Sequence, residues 1–462
     1  MSGVLIVGGG ISGLAAAYFL SKAGIPSVLV EKTNRLGGLI GTDQFEDCLL
    51  EAGPDAYLAA KSAATELAGE LGLADELIGS HDAERRIYIV RGGRLVALPR
   101  GMAMMVPGDL RAALESELFS FQTKLQFFRE IFFRPRVRAE DVTVRDFVAA
   151  HFGDELVDWV AEPLLAGVYG GAVEKLSAKS VLPRFVSYER EYGSLIRGVR
   201  RESAKAGRAG SLFLSFRRGM QQMPEALQNA IGPFTRVLHA EVESIERLAD
   251  GWRVRAAGEW LEARELVLAC PAHVSARLLQ QAAPELASKL SLIPYSSALL
   301  VTFVYRKTEI RHPLAGFGFL VPRAERKTIA AVTWIHRKFP SRISPSLAAL
   351  RAFIVDPEAS ELLDSPRDFV AKLVRADFQQ FLGIDAEPLY STFYTYPLSM
   401  PQYVVGHENL VKEISAMVEN TRGLSLLGNF LEGVGIPDCV RLARATANRI
   451  EKRLRALEDS HV

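Results

Sequence analysis

The sequence has few cysteines, little net charge and no long uninterrupted apolar segment. Its three cysteines, Cys48, Cys270 and Cys439, lie far apart and form no CxxC pair. This spacing argues against a disulfide framework, a paired-thiol zinc site and a dithiol redox motif, and it is typical of the reducing cytoplasm. A net charge of +1 gives no general attraction to nucleic acid, so we expect no nucleic-acid partner. Without an apolar run of about 20 residues or a basic leader, we expect neither a membrane span nor export.

The length and composition indicate a large globular protein. The chain has 462 residues, 48% of them hydrophobic and 24% charged. A single core stops growing near ~250–300 residues, so we expect two or more domains. The eight histidines show no metal-binding spacing, and we predict no metal site.

A glycine-rich turn lies close to the N-terminus. An apolar strand at residues 4–7 leads into Gly8, Gly10 and Gly13, then a small-residue helix and a second strand that ends on Glu31. The first glycine permits the turn, the second lets the backbone approach a pyrophosphate, and the third packs the helix against the sheet. The helix N-terminus offers N–H groups to the pyrophosphate, and the acid accepts hydrogen bonds from a ribose. This context predicts a dinucleotide-binding fold.

The residues after Glu31 distinguish flavin from nicotinamide. Lys32 is followed by Arg35, Gly37 and Gly38. This segment resembles the RxGG extension of FAD enzymes of the amine oxidase type, in which the arginine and the glycine pair contact the diphosphate and the flavin. The resemblance implies FAD as the cofactor.

In the middle of the chain, segments typical of a cofactor-binding domain alternate with segments that are not. Residues 236–247, 251–256 and 261–270 are typical of strands, and the C-terminal segment is again a strand, a glycine-rich turn and a helix. The segments 317–323 and 329–335 are expected to be antiparallel neighbours in a sheet over the flavin. We predict an α/β fold with a discontinuous Rossmann-like FAD domain, a mixed-sheet substrate domain and a helical insertion. The predicted segments are 1–80, 206–275 and 411–462 for FAD, 81–99 and 276–410 for substrate, and 100–205 for a helical domain that is a candidate for membrane association.

Several blocks in order carry a resemblance along the whole chain. YPLSMPQY at 396–403 precedes VGH at 405–407 and GNFLEGVGI at 428–436. Upstream, GVYGG at 167–171 continues to EKLS at 174–177. The ordered set resembles the oxygen-dependent protoporphyrinogen and coproporphyrinogen oxidases, which are FAD-containing members of the amine-oxidase-like flavoproteins.

The resemblance implies the FAD contacts. Tyr396 stands where the family often has Trp, and it keeps an aromatic face beside the flavin. Cys439 lies where some flavin amine oxidases tether FAD, but here it is expected to be a buried free thiol, with FAD held non-covalently. The residues implied to bind FAD are Gly8, Gly10, Ile11, Ser12, Gly13, Glu31, Lys32, Arg35, Gly37, Gly38, Gly53, Pro54, Val242, Tyr396, Gly428, Asn429, Gly433, Val434 and Gly435.

The resemblance also implies the reaction, a six-electron oxidation of a porphyrinogen to a porphyrin in haem biosynthesis with oxygen as acceptor. Protoporphyrinogen IX is favoured, and coproporphyrinogen III is the alternative. The flavin carries the hydride step, so no catalytic side chain is assigned beyond it. Further alternatives are a flavin amine oxidase, a carotenoid desaturase, and a protein that binds flavin or porphyrin without turnover.

A flat apolar macrocycle with propionates requires an apolar slot and cationic clamps. By resemblance, Arg86 is the candidate clamp, since a guanidinium can bind a carboxylate through two hydrogen bonds. Arg85 stays open, because the chain carries one extra residue before the following GGRLVALP block. Phe317, Phe319 and Leu320 are either walls of the slot or plain sheet core.

Residues 119–138 are predicted to form an amphipathic helix. Its apolar stripe is Phe121, Leu125, Phe128 and Phe132, at spacings of one helix face. Five basic residues against one acid give the segment a charge of +4. An interfacial helix uses such a pattern on anionic lipid, and packing against a domain or a second subunit is the equal alternative. The candidate partners are therefore an anionic membrane surface, a second copy of the chain and the next haem-pathway enzyme. The expected location is cytoplasmic, or peripheral on the inner face of the cell membrane.

Overall fold

The computed structural model describes residues 2–205 and 210–459. Residue 1, residues 206–209, at which the predicted segment 206–275 begins, and residues 460–462 lie outside the described part. The strands are Ser2–Val7, Ser27–Glu31, Thr42–Phe45, Cys48–Glu51, Tyr57–Leu58, Leu77–Gly79, Ile87–Arg91, Arg94–Ala97, Met102–Ala103, Val106–Pro107, Phe213–Phe216, Thr235–His239, Val242–Leu248, Gly251–Ala256, Glu259–Leu268, Tyr295–Arg306, Gly318–Leu320, Ala331–Trp334, Leu347–Val355, Tyr390–Pro401 and Leu424–Leu426. The α-helices are Ile11–Lys22, Ala63–Glu70, Leu110–Glu115, Phe121–Glu130, Val144–Phe152, Asp154–Leu156, Glu162–Tyr169, Ala178–Val181, Pro183–Tyr192, Leu195–Lys205, Gln222–Ile231, Ala272–Leu279, Pro284–Ser291, Ile335–Lys338, Glu358–Leu362, Arg367–Leu382, His407–Glu419 and Ile436–Asp459.

Five parallel strands, within a seven-stranded sheet, carry the N-terminal glycine turn. Val4, Leu5 and Ile6 of the central strand are fully buried, because helices pack on both faces of the sheet. The order of the parallel strands is Thr235–His239, Ser27–Glu31, Ser2–Val7, Glu259–Leu268 and Leu424–Leu426. Strands from the beginning, middle and end of the chain thus share one sheet. The predicted α/β fold with a discontinuous Rossmann-like domain is confirmed.

The single strand predicted over 236–247 is wrong, because the chain forms two strands there. Thr235–His239 pairs in parallel with Ser27–Glu31, whereas Val242–Leu248 pairs antiparallel with Gly251–Ala256. The chain turns between them to leave a parallel ladder and enter a hairpin.

A second seven-stranded sheet, called the roof sheet here, contains the long strands of the substrate segment. Its order is Tyr390–Pro401, Tyr295–Arg306, Leu347–Val355, Ala331–Trp334, Gly318–Leu320, Ile87–Arg91 and Arg94–Ala97. The predicted antiparallel pairing of the segments at 317–323 and 329–335 is confirmed, although both strands are shorter than predicted. Pro322 has no N–H for a ladder hydrogen bond, and a helix begins at Ile335.

The helix predicted over 119–138 is also shorter, and it covers only Phe121–Glu130. The Glu130 carboxylate is fully buried at its end and accepts a hydrogen bond from the Ser194 hydroxyl at 2.7 Å. The chain then continues without regular structure through Pro135, whose ring does not fit a helix interior.

The predicted apolar stripe faces outward. Phe121, Leu125, Phe128 and Phe132 are 83%, 51%, 48% and 80% exposed, whereas Phe119 and Phe127 of the same segment enter the core. In the part of the chain that the structure describes, the stripe is therefore not buried against another segment. Within the described ranges, no helix is both long and apolar enough to cross a membrane.

Candidate functional site

One large cavity, of about 2020 Å³, lies where the parallel sheet, the roof sheet and the helical insertion meet. Both glycine-rich turns contribute to its lining, as do roof-sheet strands and the helix Pro183–Tyr192. Every residue predicted to bind FAD lines this cavity except Gly13, which lies directly behind it. The lining residues from that set are Gly8, Gly10, Ile11, Ser12, Glu31, Lys32, Arg35, Gly37, Gly38, Gly53, Pro54, Val242, Tyr396, Gly428, Asn429, Gly433, Val434 and Gly435.

The N-terminal turn leaves open space where a diphosphate fits. Gly10 has an ordinary φ of −69°, and a Cβ built on it meets nothing within 4 Å. Gly8 has φ +106°, and a Cβ on Gly13 would lie 1.9 Å from the Gly8 carbonyl oxygen. Gly13 therefore serves the fold, Gly8 forms the turn at the edge of the cavity, and Gly10 faces open space. The helix Ile11–Lys22 begins there without a side-chain cap, so its first N–H groups are available to an anion.

Glu31 is held in place beside the cavity. Its Oε2 accepts a hydrogen bond from the Gly9 N–H at 2.7 Å, and its Oε1 accepts one from the Thr33 N–H at 2.9 Å. A carboxylate fixed at this strand end suits ribose hydroxyls and repels a 2′-phosphate. The sequence analysis did not single out Gly9, yet a Cβ there would come within 2.5 Å of the Leu36 side chain.

Arg35 braces the second glycine loop. Its guanidinium donates hydrogen bonds to the carbonyl oxygens of Gly38 and Ile40. Gly37 and Gly38 have φ values of +104° and +60°, and a Cβ on Gly38 would lie 3.0 Å from the Gly10 Cα. The loop therefore packs directly on the N-terminal turn.

The C-terminal turn is closed by an ion pair. Gly433 has φ +90°, and a Cβ there would lie 2.5 Å from the Asp438 Cγ. The Asp438 carboxylate accepts a hydrogen bond from Lys61 Nζ at 2.6 Å. This contact fixes the start of the helix Ile436–Asp459 against the cavity.

The four residues predicted to bind substrate do not line the cavity. Arg86 is exposed, and its backbone carbonyl accepts a hydrogen bond from the Phe317 N–H at 2.8 Å. Phe317 and Phe319 are buried, and Leu320 packs against the core of the helical insertion. The two phenylalanines thus occupy the sheet-core positions that were their alternative. Arg85 is exposed as well. A clamp role for either arginine stays a prediction.

One face of the helix Pro183–Tyr192 lines the cavity. Pro183, Val186, Ser187 and Arg190 are its lining residues, at the spacing of a single helix face. Arg190 is exposed and has no ion-pair partner in the described ranges. The sequence analysis missed this face, because it treated the helical insertion only as a membrane or packing element.

The opposite wall comes from the roof sheet. Leu300, Phe353, Leu398 and Met400 line it, and Tyr169 of the helical insertion adds an aromatic ring. The cavity therefore continues from the glycine turns into a largely apolar slot, with Arg190 on its exposed side.

A cluster of charged side chains lies beneath the roof sheet. Lys338 pairs with Asp55 at 2.8 Å, and Arg342 pairs with Glu51 at 2.7 Å. Arg351 lines the cavity, is 2% exposed and belongs to neither pair. Burial alone would raise the pKa of Asp55, but Lys338 and Arg351 hold it below its usual range. The sequence analysis also missed this cluster, although a lone arginine in the apolar strand LAALRAFIV was a signal for it.

Burial sets the protonation state of two titratable groups in the lining. Burial raises the pKa of the Cys439 thiol to about 11, so the thiol is protonated near neutral pH. His407 stacks on Tyr403 with ring centroids 4.1 Å apart, and burial lowers its pKa. Within residues 2–205 and 210–459, no group of His, Cys, Asp and Glu side chains is arranged to hold a metal ion.

Comparison with known proteins places this geometry in a family. A family model described as flavin containing amine oxidoreductase matches residues 11–451. The chain is 27% identical to the coproporphyrinogen III oxidase of Staphylococcus aureus, over 97% of this chain and 98% of that protein. It is 30% identical to the protoporphyrinogen oxidase of Bos taurus, again over 97% of this chain and 98% of the relative.

Solved structures agree over the whole chain. A crystal structure of an Exiguobacterium sp. 255-15 protein, provisionally named a protoporphyrinogen oxidase, has a TM-score of 0.87 at 28% identity and covers 97% of this chain and 98% of that one. Putrescine oxidase bound to putrescine has a TM-score of 0.68 at 20% identity, with 97% and 98% covered. The second match shows a shared fold alone.

Proposed function

The chain belongs to the flavin containing amine oxidoreductase family, and we propose that it oxidises a porphyrinogen to a porphyrin with FAD and oxygen. The observation that carries the proposal is one continuous cavity of about 2020 Å³. Dinucleotide-type turns line one part of it, and an apolar slot forms the other. Whole-length relatives named coproporphyrinogen III oxidase and protoporphyrinogen oxidase support the same substrate class.

FAD supplies the hydride acceptor when it is bound, and the protein supplies position and environment. The Gly10 turn would accommodate the diphosphate, and Glu31 would accept hydrogen bonds from the ribose. The Tyr396 hydroxyl donates to the Ala52 carbonyl at 2.7 Å, which holds the aromatic ring at the lining. The roof sheet gives the slot an apolar wall. A porphyrinogen loses six electrons in three two-electron turnovers, and each turnover reduces one oxygen molecule to hydrogen peroxide.

We infer that the substrate is protoporphyrinogen IX, which has two propionates where coproporphyrinogen III has four. Four cations of the lining are already paired with carboxylates, namely Lys61, Lys179, Arg277 and Lys412. In the part of the chain that the structure describes, Arg190 has no ion-pair partner, and Arg351 lies deep beneath the roof. So few free cations favour the substrate with fewer carboxylates. Coproporphyrinogen III is the second candidate, because the Staphylococcus aureus relative with that name matches along its whole length.

Turnover of the purified protein with both porphyrinogens, side by side, tests this function. We expect a higher kcat/KM for protoporphyrinogen IX, and three peroxides for each porphyrin formed. Without oxygen, either porphyrinogen should bleach the bound flavin. A higher kcat/KM with coproporphyrinogen III would overturn the substrate assignment alone. Flavin that neither substrate bleaches would contradict an oxidase and favour a binding protein.

We also propose that the exposed stripe attaches the protein to an anionic membrane surface. Around Phe121, Phe128 and Phe132 lie the exposed cations Arg129 and Arg134. The one acid of the segment is buried and contributes no surface charge. An exposed aromatic stripe beside free cations complements anionic lipid, and a poorly soluble porphyrin can then exchange through the lipid layer.

Sedimentation with anionic and neutral vesicles tests the attachment. We expect binding to anionic vesicles at low salt and release near 1 M salt, where the screening length falls to ~3 Å. Phe128→Ser with Phe132→Ser should weaken binding, whereas Phe369→Ser, 50% exposed on another helix, is the matched control. A stripe-dependent dimer in solution without vesicle binding would instead assign the stripe to a second copy.

A further inference from the structure

Arg351 is an unusual residue for its surroundings. It lies in the middle of the strand Leu347–Val355, whose other residues are apolar, and it is 2% exposed. Its neighbours in register on the adjacent strands are Thr302 and Thr333, neither of which carries charge. Burying a guanidinium costs stability unless it is paired or has a ligand.

The charges around Arg351 do not balance. Three cations, Lys338, Arg342 and Arg351, share two carboxylates, Asp55 and Glu51. Both carboxylates already form ion pairs, at 2.8 Å with Lys338 and at 2.7 Å with Arg342. Arg351 is thus left without a carboxylate at ion-pair distance in the described part of the chain.

The hydrogen bonding of Arg351 is incomplete as well. In the described ranges its guanidinium donates one hydrogen bond, to the Gly53 carbonyl, and its Nε is buried without a partner. Gly53 and Arg351 both line the cavity, in the part where Pro54 and Tyr396 also lie. An unpaired buried cation therefore faces the space that the cofactor residues enclose.

We propose that Arg351 stabilises the negative charge that the flavin ring acquires when it accepts a hydride, and so raises the flavin reduction potential. The proposal rests on the proposed function, since it needs FAD in this cavity. A hydride carries two electrons and one proton from a substrate carbon to the flavin, while a second proton leaves the substrate. The ring system gains one negative charge, and a fixed guanidinium in a site of low dielectric constant offsets that charge without reorganisation.

Arg351 suits the flavin better than a substrate propionate. Its guanidinium lies beneath the roof sheet and donates a hydrogen bond to the carbonyl oxygen of Gly53, a residue implied to contact FAD. Arg190, by contrast, lies on the exposed side of the slot. A substrate clamp at Arg351 would also require a charged propionate to lose its water beside a side chain that is almost fully buried.

The test is the flavin reduction potential of the FAD-loaded protein, titrated with a chemical reductant and a reference dye in the absence of any porphyrinogen. Arg351→Met should lower the equilibrium constant for two-electron reduction about tenfold, which is a shift of about 30 mV. Arg351→Lys keeps the charge and should recover most of the loss. Arg326→Met is the matched control, because Arg326 is a buried arginine whose side chain is 2% exposed, paired with Glu162 and outside the lining.

A second variant covers the case in which Arg351→Met does not retain FAD. Lys338→Met removes the partner of Asp55, so that the carboxylate neutralises Arg351, and it should lower the potential without altering the lining. Unchanged potentials in Lys338→Met and in a loaded Arg351 variant would refute the proposal. An unchanged potential with weaker binding of protoporphyrin IX would also overturn it, in favour of a propionate clamp. Because the titration uses no porphyrinogen, its result is independent of the proposed substrate.

Discussion

Substitution of Gly10 tests the cofactor site most directly, because Gly10 faces open space. Its φ of −69° suits any residue, and a Cβ there meets nothing within 4 Å, so Gly10→Val should leave the apoprotein folded. The valine side chain would instead fill the place of the pyrophosphate. We therefore expect the variant to purify without yellow colour while its unfolding temperature stays near that of the wild-type apoprotein.

The size of the effect follows from linkage. A ligand present at 100 times its Kd stabilises the folded state by about 2.7 kcal/mol, which for a chain of this length raises the unfolding temperature by about 3 °C. Added FAD should produce that rise in the wild-type apoprotein and none in Gly10→Val, as followed by thermal unfolding with and without FAD.

Gly13→Val is the informative contrast. A Cβ at Gly13 would lie 1.9 Å from the Gly8 carbonyl oxygen, so this variant should lose stability with or without FAD. A Gly10→Val protein that still binds FAD with an unchanged thermal shift would refute the placement of the diphosphate. Equal destabilisation of both apoproteins would refute the claim that Gly10, unlike Gly13, faces ligand space.

Three further predictions concern the cofactor bond, the substrate and the helical insertion. Burial raises the pKa of Cys439 to about 11, so the thiol stays protonated and FAD should be bound non-covalently. Denaturation should therefore release all flavin into the supernatant. Flavin left in the precipitate would point to a covalent tether. Arg190→Ala should weaken porphyrin binding by about 1.5 kcal/mol, roughly tenfold in Kd. The loss should exceed that of Arg86→Ala, because Arg86 does not line the cavity. A fluorescence titration in which Arg86→Ala shows the larger loss would restore Arg86 as the clamp. Burial alone would lower the pKa of His151, but hydrogen bonds to Glu130 and Glu189 raise it. The stability that protonated His151 adds is therefore complete below about pH 6.5, and it is lost as the pH rises through the raised pKa. Thermal unfolding from pH 6 to 9 should therefore fall more steeply for the wild type than for His151→Gln, and parallel profiles would contradict this.

The cofactor turns were accessible from the sequence because backbone chemistry near one point determines them. Gly8 and Gly433 occupy left-handed conformations that other residues rarely adopt, and glycine spacing records that requirement directly. Glu31 follows the turn at a fixed distance because both belong to one strand–helix–strand unit. The antiparallel pair Gly318–Leu320 and Ala331–Trp334 was accessible for a similar reason, since neighbouring apolar segments joined by a short connection pair locally.

The ends of elements were less accessible, since tertiary contacts decide them. The strand predicted over 236–247 is interrupted because its two halves pair with strands of opposite orientation. The helix at Phe121–Glu130 stops where the Glu130 carboxylate enters a core that includes Ser194, more than sixty residues later. A window along the sequence contains neither of these partners.

The substrate part of the cavity was the hardest part to predict from the sequence, because contacts between distant segments form it. Its walls combine a face of the helix Pro183–Tyr192 with residues of the strands Leu347–Val355 and Tyr390–Pro401, and no turn chemistry links these segments. A motif comparison therefore selected Arg86 by its position in a block, whereas the cavity is lined by Arg190 and Arg351. A single arginine in an apolar strand points to a functional site more directly than the position of a residue in a motif block. Its burial costs free energy, which is offset only where a nearby group compensates its charge. Asp55 and Glu51 offset part of this charge from beyond ion-pair distance, and their own ion pairs leave the rest to whatever occupies the cavity. The reduction potential of the bound flavin is therefore the quantity that substitution of Arg351 should change.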